Sequence, residues 1–167
     1  LPAADYKVTY KSVCTGRERG VYSFCMCPGG YVVNASSEKN MLAVNGMSYS
    51  GRDSSNANSA MIVTVTPEDY GYGTLDGVKF QRKLEAAAYI AGEGKIPVQL
   101  LGDFKENTAS TSLGAVSPCI KGEYKLTNVR SILPDYIAEA ISEGVTGCDR
   151  YIKGFDMDEA LFAGVES

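Results

Sequence analysis

Apolar positions along this chain fall into two kinds of run, one with a period of two residues and one with a period near 3.6. Tyr6, Val8 and Tyr10 alternate with Lys7, Thr9 and Lys11, the pattern of a half-buried strand. Residues 21–27 and 31–35 are rich in β-branched and aromatic side chains, and Pro28-Gly29-Gly30 separates them as a hairpin or a sharp corner. Residues 41–45 and 60–66 predict further strands, with a polar loop over 48–59 between them. Thr66-Pro67-Glu68-Asp69 has the cap, proline and acids of a helix start or turn. Phe80, Leu84, Ala87, Ala88 and Ala91 share one helical face, which Gly92 and Gly94 end. Arg82, Lys83 and Glu85 lie off that face and are expected in solvent. Residues 97–101 read as a short apolar strand, and 105–121 as a Ser/Thr-rich connection without period. Pro134 opens a second helix along Leu133, Ile137, Ala140 and Ile141, with Gly144 as its stop. Residues 151–158 look irregular, and 161–165 predict a last strand.

Strands come early and helices late, without βαβ alternation. The fold class is therefore α+β: a coiled, mostly antiparallel sheet or barrel-like core with a small helical subdomain. At 167 residues the chain suits a single domain with a real core.

Charge and composition remove several functions. A net charge of −4 leaves no basic stripe for nucleic acid, and no apolar run is long enough to cross a bilayer. Five cysteines without a secreted disulfide spacing predict reduced thiols in a cytoplasmic protein. With no histidine, neither a Ser-His-Asp nor a Cys-His machine can be built from this chain, and a His-containing zinc site is impossible. No Gly-X-Gly-X-X-Gly or Walker pattern is present, so self-contained nucleotide chemistry is not expected. Leu1-Pro2-Ala3-Ala4-Asp5 reads like the middle of a longer protein.

The densest chemistry lies at Cys25-Met26-Cys27-Pro28-Gly29-Gly30. In a regular strand Cys25 and Cys27 point the same way, their Cα atoms roughly 6.5–7 Å apart, at or beyond disulfide range. They wall a ligand or redox centre, or they pack as a buried strand end. Cys14, Cys119 and Cys148 have no partner pattern. Arg52 is a strong cation in a polar stretch, suited to an anion, or else an Arg52–Asp53 surface loop. Ser110, Thr111 and Ser112 offer hydroxyls, or plain connection.

Several segments together resemble one family of bacterial FAD-dependent oxidoreductases, the FAD-dependent dehydrogenase proteins. They are the stretch from Gly20 to Val33, Asn45-Gly46-Met47-Ser48-Tyr49 with Arg52-Asp53, and Asn56-Ala57-Asn58-Ser59-Ala60. Val65 to Asp69, Phe80 to Lys83, Gln99 to Phe104, Ser110 to Gly114, Pro134 to Tyr136 and Gly154 to Met157 follow in family order. The resemblance implies that residues 1–167 form a single inserted domain on the substrate side of a larger flavoprotein. The flavin-binding segments of such proteins are not in this sequence. It implies FAD as the cofactor of the full-length protein, not bound by this piece alone, with NAD(P)H as a possible electron donor. The partner is then the flavin-binding domain of the same polypeptide, together with a small-molecule substrate.

By the same resemblance Pro28, Gly29, Gly30, Asn45, Gly46 and Met47 face the cofactor, because glycine backbone can approach a flat ring closely. Arg52, Ser110, Thr111 and Ser112 fall on the substrate side, with Cys25 and Cys27 as candidate catalytic groups. Two other readings stay open: a non-catalytic ligand- or protein-binding module, and a thiol-redox module built on Cys25 and Cys27.

Overall fold

The computed structural model describes residues 7–14 and 16–167, so Leu1–Asp5, Tyr6 and Thr15 lie outside the described residues. Strands β1 (Thr9–Ser12) and β2 (Arg19–Cys27) pair antiparallel, and β2 pairs in turn with β5 (Asn58–Val63), giving the order β1-β2-β5. The intervening β3 (Gly30–Asn34) and β4 (Val44–Ser48) belong to a second sheet, closed on its other side by β7 (Ile120–Lys121) running parallel to β3. A third sheet has β6 (Ile96–Leu100) between a parallel β8 (Tyr124–Leu126) and an antiparallel β9 (Leu161–Ala163). The α+β class and the mainly antiparallel pairing match the sequence reading. The strands form three small sheets, and none of them closes into a barrel.

Helices join these sheets. After α1 (Pro67–Tyr70), the long α2 (Asp76–Gly92) packs on β6. A short α3 (Leu101–Lys105) follows β6 directly, and α4 (Asp135–Cys148) lies across β1, β2 and β5. Two apolar clusters result. One gathers Leu42, Val44, Ala88, Ile96, Val98 and Val129, and the other packs Leu101, Phe104, Ile137, Ile141 and Val145 beneath the first sheet.

Two expectations fail here for physical reasons. Glu85 is buried, at 7% exposure, rather than solvated. The segment leading into β4 and the last residues of the chain cross that side of α2. Leu42 N–H donates to the Glu85 carbonyl at 3.0 Å, and the Ser167 hydroxyl donates to its carboxylate. Gly144 does not stop α4 but sits inside it. A Cβ there would collide with the Val21 side chain, and one at Gly147 with the Tyr10 ring. These glycines let the helix backbone rest on β1 and β2. Gly147→Ala should therefore destabilise the fold by about 1–3 kcal/mol despite the helix propensity gained, a change readable by denaturant unfolding.

A buried ion pair pins β2 to α1. Arg19 grips Asp69 through two hydrogen bonds of 2.8 and 2.6 Å, donates to the Thr64 carbonyl at 3.1 Å and stacks over the Tyr136 ring. A second network centres on Gln99. It donates to the Thr108 carbonyl at 2.6 Å and accepts from Arg130 N–H at 2.9 Å, while the Arg130 guanidinium pairs with Glu139.

Candidate functional site

Between β2 and β3 the chain turns a corner instead of forming a hairpin, because the two strands belong to different sheets. Phe24 faces Ala60 and Cys27 faces Asn58, so β2 carries one extra residue against β5. Cys25 takes that bulge, with φ of 48°. The bulge breaks the alternation that would set Cys25 and Cys27 on one face. The Cys27 thiol turns back to donate to the Cys25 carbonyl at 3.3 Å. All five cysteines are free thiols, and burial pushes the Cys27 thiol up, with the charges of Cys25 and Glu166 adding to it.

The corner is held by a loop far away in sequence. Gly29 has φ of 55°, and a Cβ there would run into the backbone of Arg52 and Asp53. Gly30 N–H donates to the Asn56 carbonyl at 2.9 Å, and its own carbonyl accepts the Ser54 hydroxyl at 2.8 Å. Asn58 fills the space that side chains at Gly30 and Gly46 would need, and its buried Nδ2 has no hydrogen-bond partner among the described residues. Gly46 thus faces inward, while its neighbours Asn45 and Met47 are exposed on the opposite side of β4. Pro28 and Arg52 are exposed as well, and among the described residues Arg52 makes no ion pair.

Two of the sequence-predicted clusters therefore meet, the Cys25–Gly30 corner and the Asn45–Asp53 loop. The third does not join them. Ser110 is buried, donating to Asp103 at 2.5 Å and accepting from Leu100 N–H at 2.8 Å, so its hydroxyl is used at the carboxyl end of β6. Thr111 and Ser112 are exposed beside it.

Over residues 1–167 the sequence matches the family described as FAD-dependent protein, C-terminal domain-like. The chain belongs to that family. It is also similar to a protein of Clostridium beijerinckii described as an uncharacterized protein, 49% identical over 170 residues. That match takes in 100% of this chain and 32% of the relative, so the chain spans about a third of the relative's length.

Membership of an FAD-dependent family raises the question of where FAD could lie. The three glycines form no cradle for it: the room at Gly29, Gly30 and Gly46 is taken by Arg52, Asp53 and Asn58, and Gly30 N–H is already bonded. Of the residues that the sequence singles out here, Pro28, Asn45, Met47 and Arg52 have exposed side chains. Among the described residues no three His, Cys, Asp or Glu side chains gather to hold a metal ion, and no helix is long and apolar enough to cross a membrane.

In this member of the FAD-dependent family, sequence reasoning passed over Cys119. Its sulfur lies 3.4 Å from the Ser55 hydroxyl, across 64 residues of chain, and no local pattern announces the meeting. The Ser55 hydroxyl first, then Ser54 and the backbone N–H groups of Asn56 and Ser55, draws the Cys119 thiol below its ordinary value. Burial does the reverse at Cys148. Alkylation of the native chain near neutral pH, followed by mass spectrometry, should label Cys119 before Cys27 and Cys148. Equal rates at all three would contradict this electrostatic ordering.

Proposed function

We propose that this chain is the substrate-side domain covering the flavin of a larger FAD-dependent oxidoreductase, with FAD held by other parts of the polypeptide. The family match over all 167 residues carries the reading. Two further observations support the division of labour. The chain spans about a third of its Clostridium relative, and the room beside Gly29, Gly30 and Gly46 is filled by the domain's own Arg52, Asp53 and Asn58.

Bound FAD would supply hydride or electron transfer, with NAD(P)H as a candidate donor. The work left to this chain is positioning and exclusion of water. Pro28, Asn45 and Met47 would lie toward the cofactor, with the closely packed Gly29, Gly30 and Gly46 fixing their placement. Arg52 would meet an anionic group of the substrate, and Thr111 and Ser112 would offer hydroxyls from a separate loop. Cys27 would face the flavin side as a neutral group, since burial pushes its thiol up and a protonated thiol is a poor nucleophile, while the bulge sets Cys25 off that line. That observation weighs against the thiol-redox alternative.

Titrating FAD into this purified chain tests the division of labour. Gel filtration should return a colourless protein free of stoichiometric flavin. A yellow one-to-one complex would overturn it.

A further inference from the structure

The sheet β4-β3-β7 covers the core with one face only. Val32, Val44 and Ile120 point into the apolar cluster of Leu42 and Val98. Register then sends Tyr31, Val33, Asn45, Met47 and Lys121 to the opposite face, where Tyr49 joins them just past β4. Met47 is 54% exposed and Tyr49 62%. The Tyr31 and Tyr49 rings meet edge to face at 5.7 Å. Lys121 Nζ sits 4.2 Å over Tyr31 and 5.3 Å from the Tyr49 centroid, and among the described residues it makes no ion pair.

We infer that this face is the surface on which the flavin-binding remainder of the same polypeptide docks. The inference rests on the flavin-covering role proposed above and names the surface through which it would act. Four observations point to that occupant. About two thirds of the relative's length lies outside the part matched by this chain, so in that relative a large body is tethered to the domain. Exposed tyrosines and a methionine suit the centre of a protein interface, where such side chains are enriched. Among the six side chains named on the face Lys121 carries the one charge, with aromatic neighbours and no carboxylate partner among the described residues, so the partner surface supplies an acid opposite it. Finally, β3 begins at Gly30, so the face continues directly from the corner that carries Pro28.

Lysine footprinting of the intact flavin-loaded polypeptide tests the surface. Acetylation of Lys121 should be slower there than in this chain alone by about tenfold, as expected for a desolvated interface centre. Exposed Lys79 and Lys153 serve as internal controls and should label alike in both. The double variant Met47→Glu/Tyr49→Glu, made at two exposed positions, should restore Lys121 labelling in the intact polypeptide without altering the controls. Equal Lys121 rates in the two proteins would overturn the inference. So would protection that fades on dilution of the intact polypeptide, which would assign the face to a second copy. The flavin reports separately on the covering role. Protected Lys121 with a fully accessible flavin leaves the docking face standing and removes the cover. Unprotected Lys121 with a shielded flavin does the opposite.

Discussion

Asp69→Ala is expected to destabilise this protein by about 3–5 kcal/mol, because it strands the Arg19 guanidinium in a buried site. Both side chains of the pair are nearly inaccessible, at 7% and 6%. Arg19 would keep the Thr64 carbonyl and the Tyr136 ring but lose the buried anion it pairs with. The double variant Arg19→Met/Asp69→Leu should be far milder, since removing both charges leaves nothing unpaired. Chemical unfolding of the three proteins decides it. A single variant as stable as the wild type would mean that the pair is solvated.

The same pair makes stability depend on acid. Hydrogen bonds from Arg19, with help from Thr66 N–H and Arg17, lower the Asp69 carboxyl from 3.8 to about 2. A carboxyl lowered on folding adds stability that is complete above its unfolded value and disappears as pH falls through the folded one. The contribution is about 2 kcal/mol, fully present above pH 3.8 and lost toward pH 2. It is smaller than the alanine effect because a protonated Asp69 still accepts hydrogen bonds, whereas alanine accepts none. In Asp69→Ala this part of the acid dependence should vanish.

The second large effect is at Phe104 in α3. The ring is 1% exposed, lies 4.6 Å from the Phe162 ring and has the Arg130 guanidinium over it at 5.4 Å. Phe104→Ala should cost about 3–5 kcal/mol through lost burial and the cavity left behind. For a domain of this size that lowers Tm by about 10 °C. Arg130 keeps its hydrogen bond to the residue 104 carbonyl in the variant, so the loss reports on packing. A shift within a degree or two would mean that the cluster collapses around the gap.

Much of this architecture is legible in the order of side chains. The strand-like runs of β2, β3 and β5 and the 3.6-residue stripes of α2 and α4 are visible because each packs one face on a neighbour, and β6 shows as a continuous apolar run because both its faces are buried. Helix α3 and strands β7 and β8 are too short to establish a period. Glu85 and Gly144 mislead for a shared reason: their surroundings come from distant chain, the final residues in one case and Val21 in the other. The site divides in the same way. Pro28-Gly29-Gly30 announces a turn locally. That Gly29 receives the backbone of Arg52, and that Cys119 meets Ser55, are tertiary facts with no local signature. At Gly29, Gly30 and Gly46 the close neighbours are the domain's own Arg52, Asp53 and Asn58.

The covering role is tested most directly by the accessibility of the flavin to iodide in the intact polypeptide, with and without residues 1–167. Removing the domain should leave FAD bound and make its fluorescence several-fold easier to quench. Loss of FAD on removal, or unchanged quenching with FAD retained, would contradict the account.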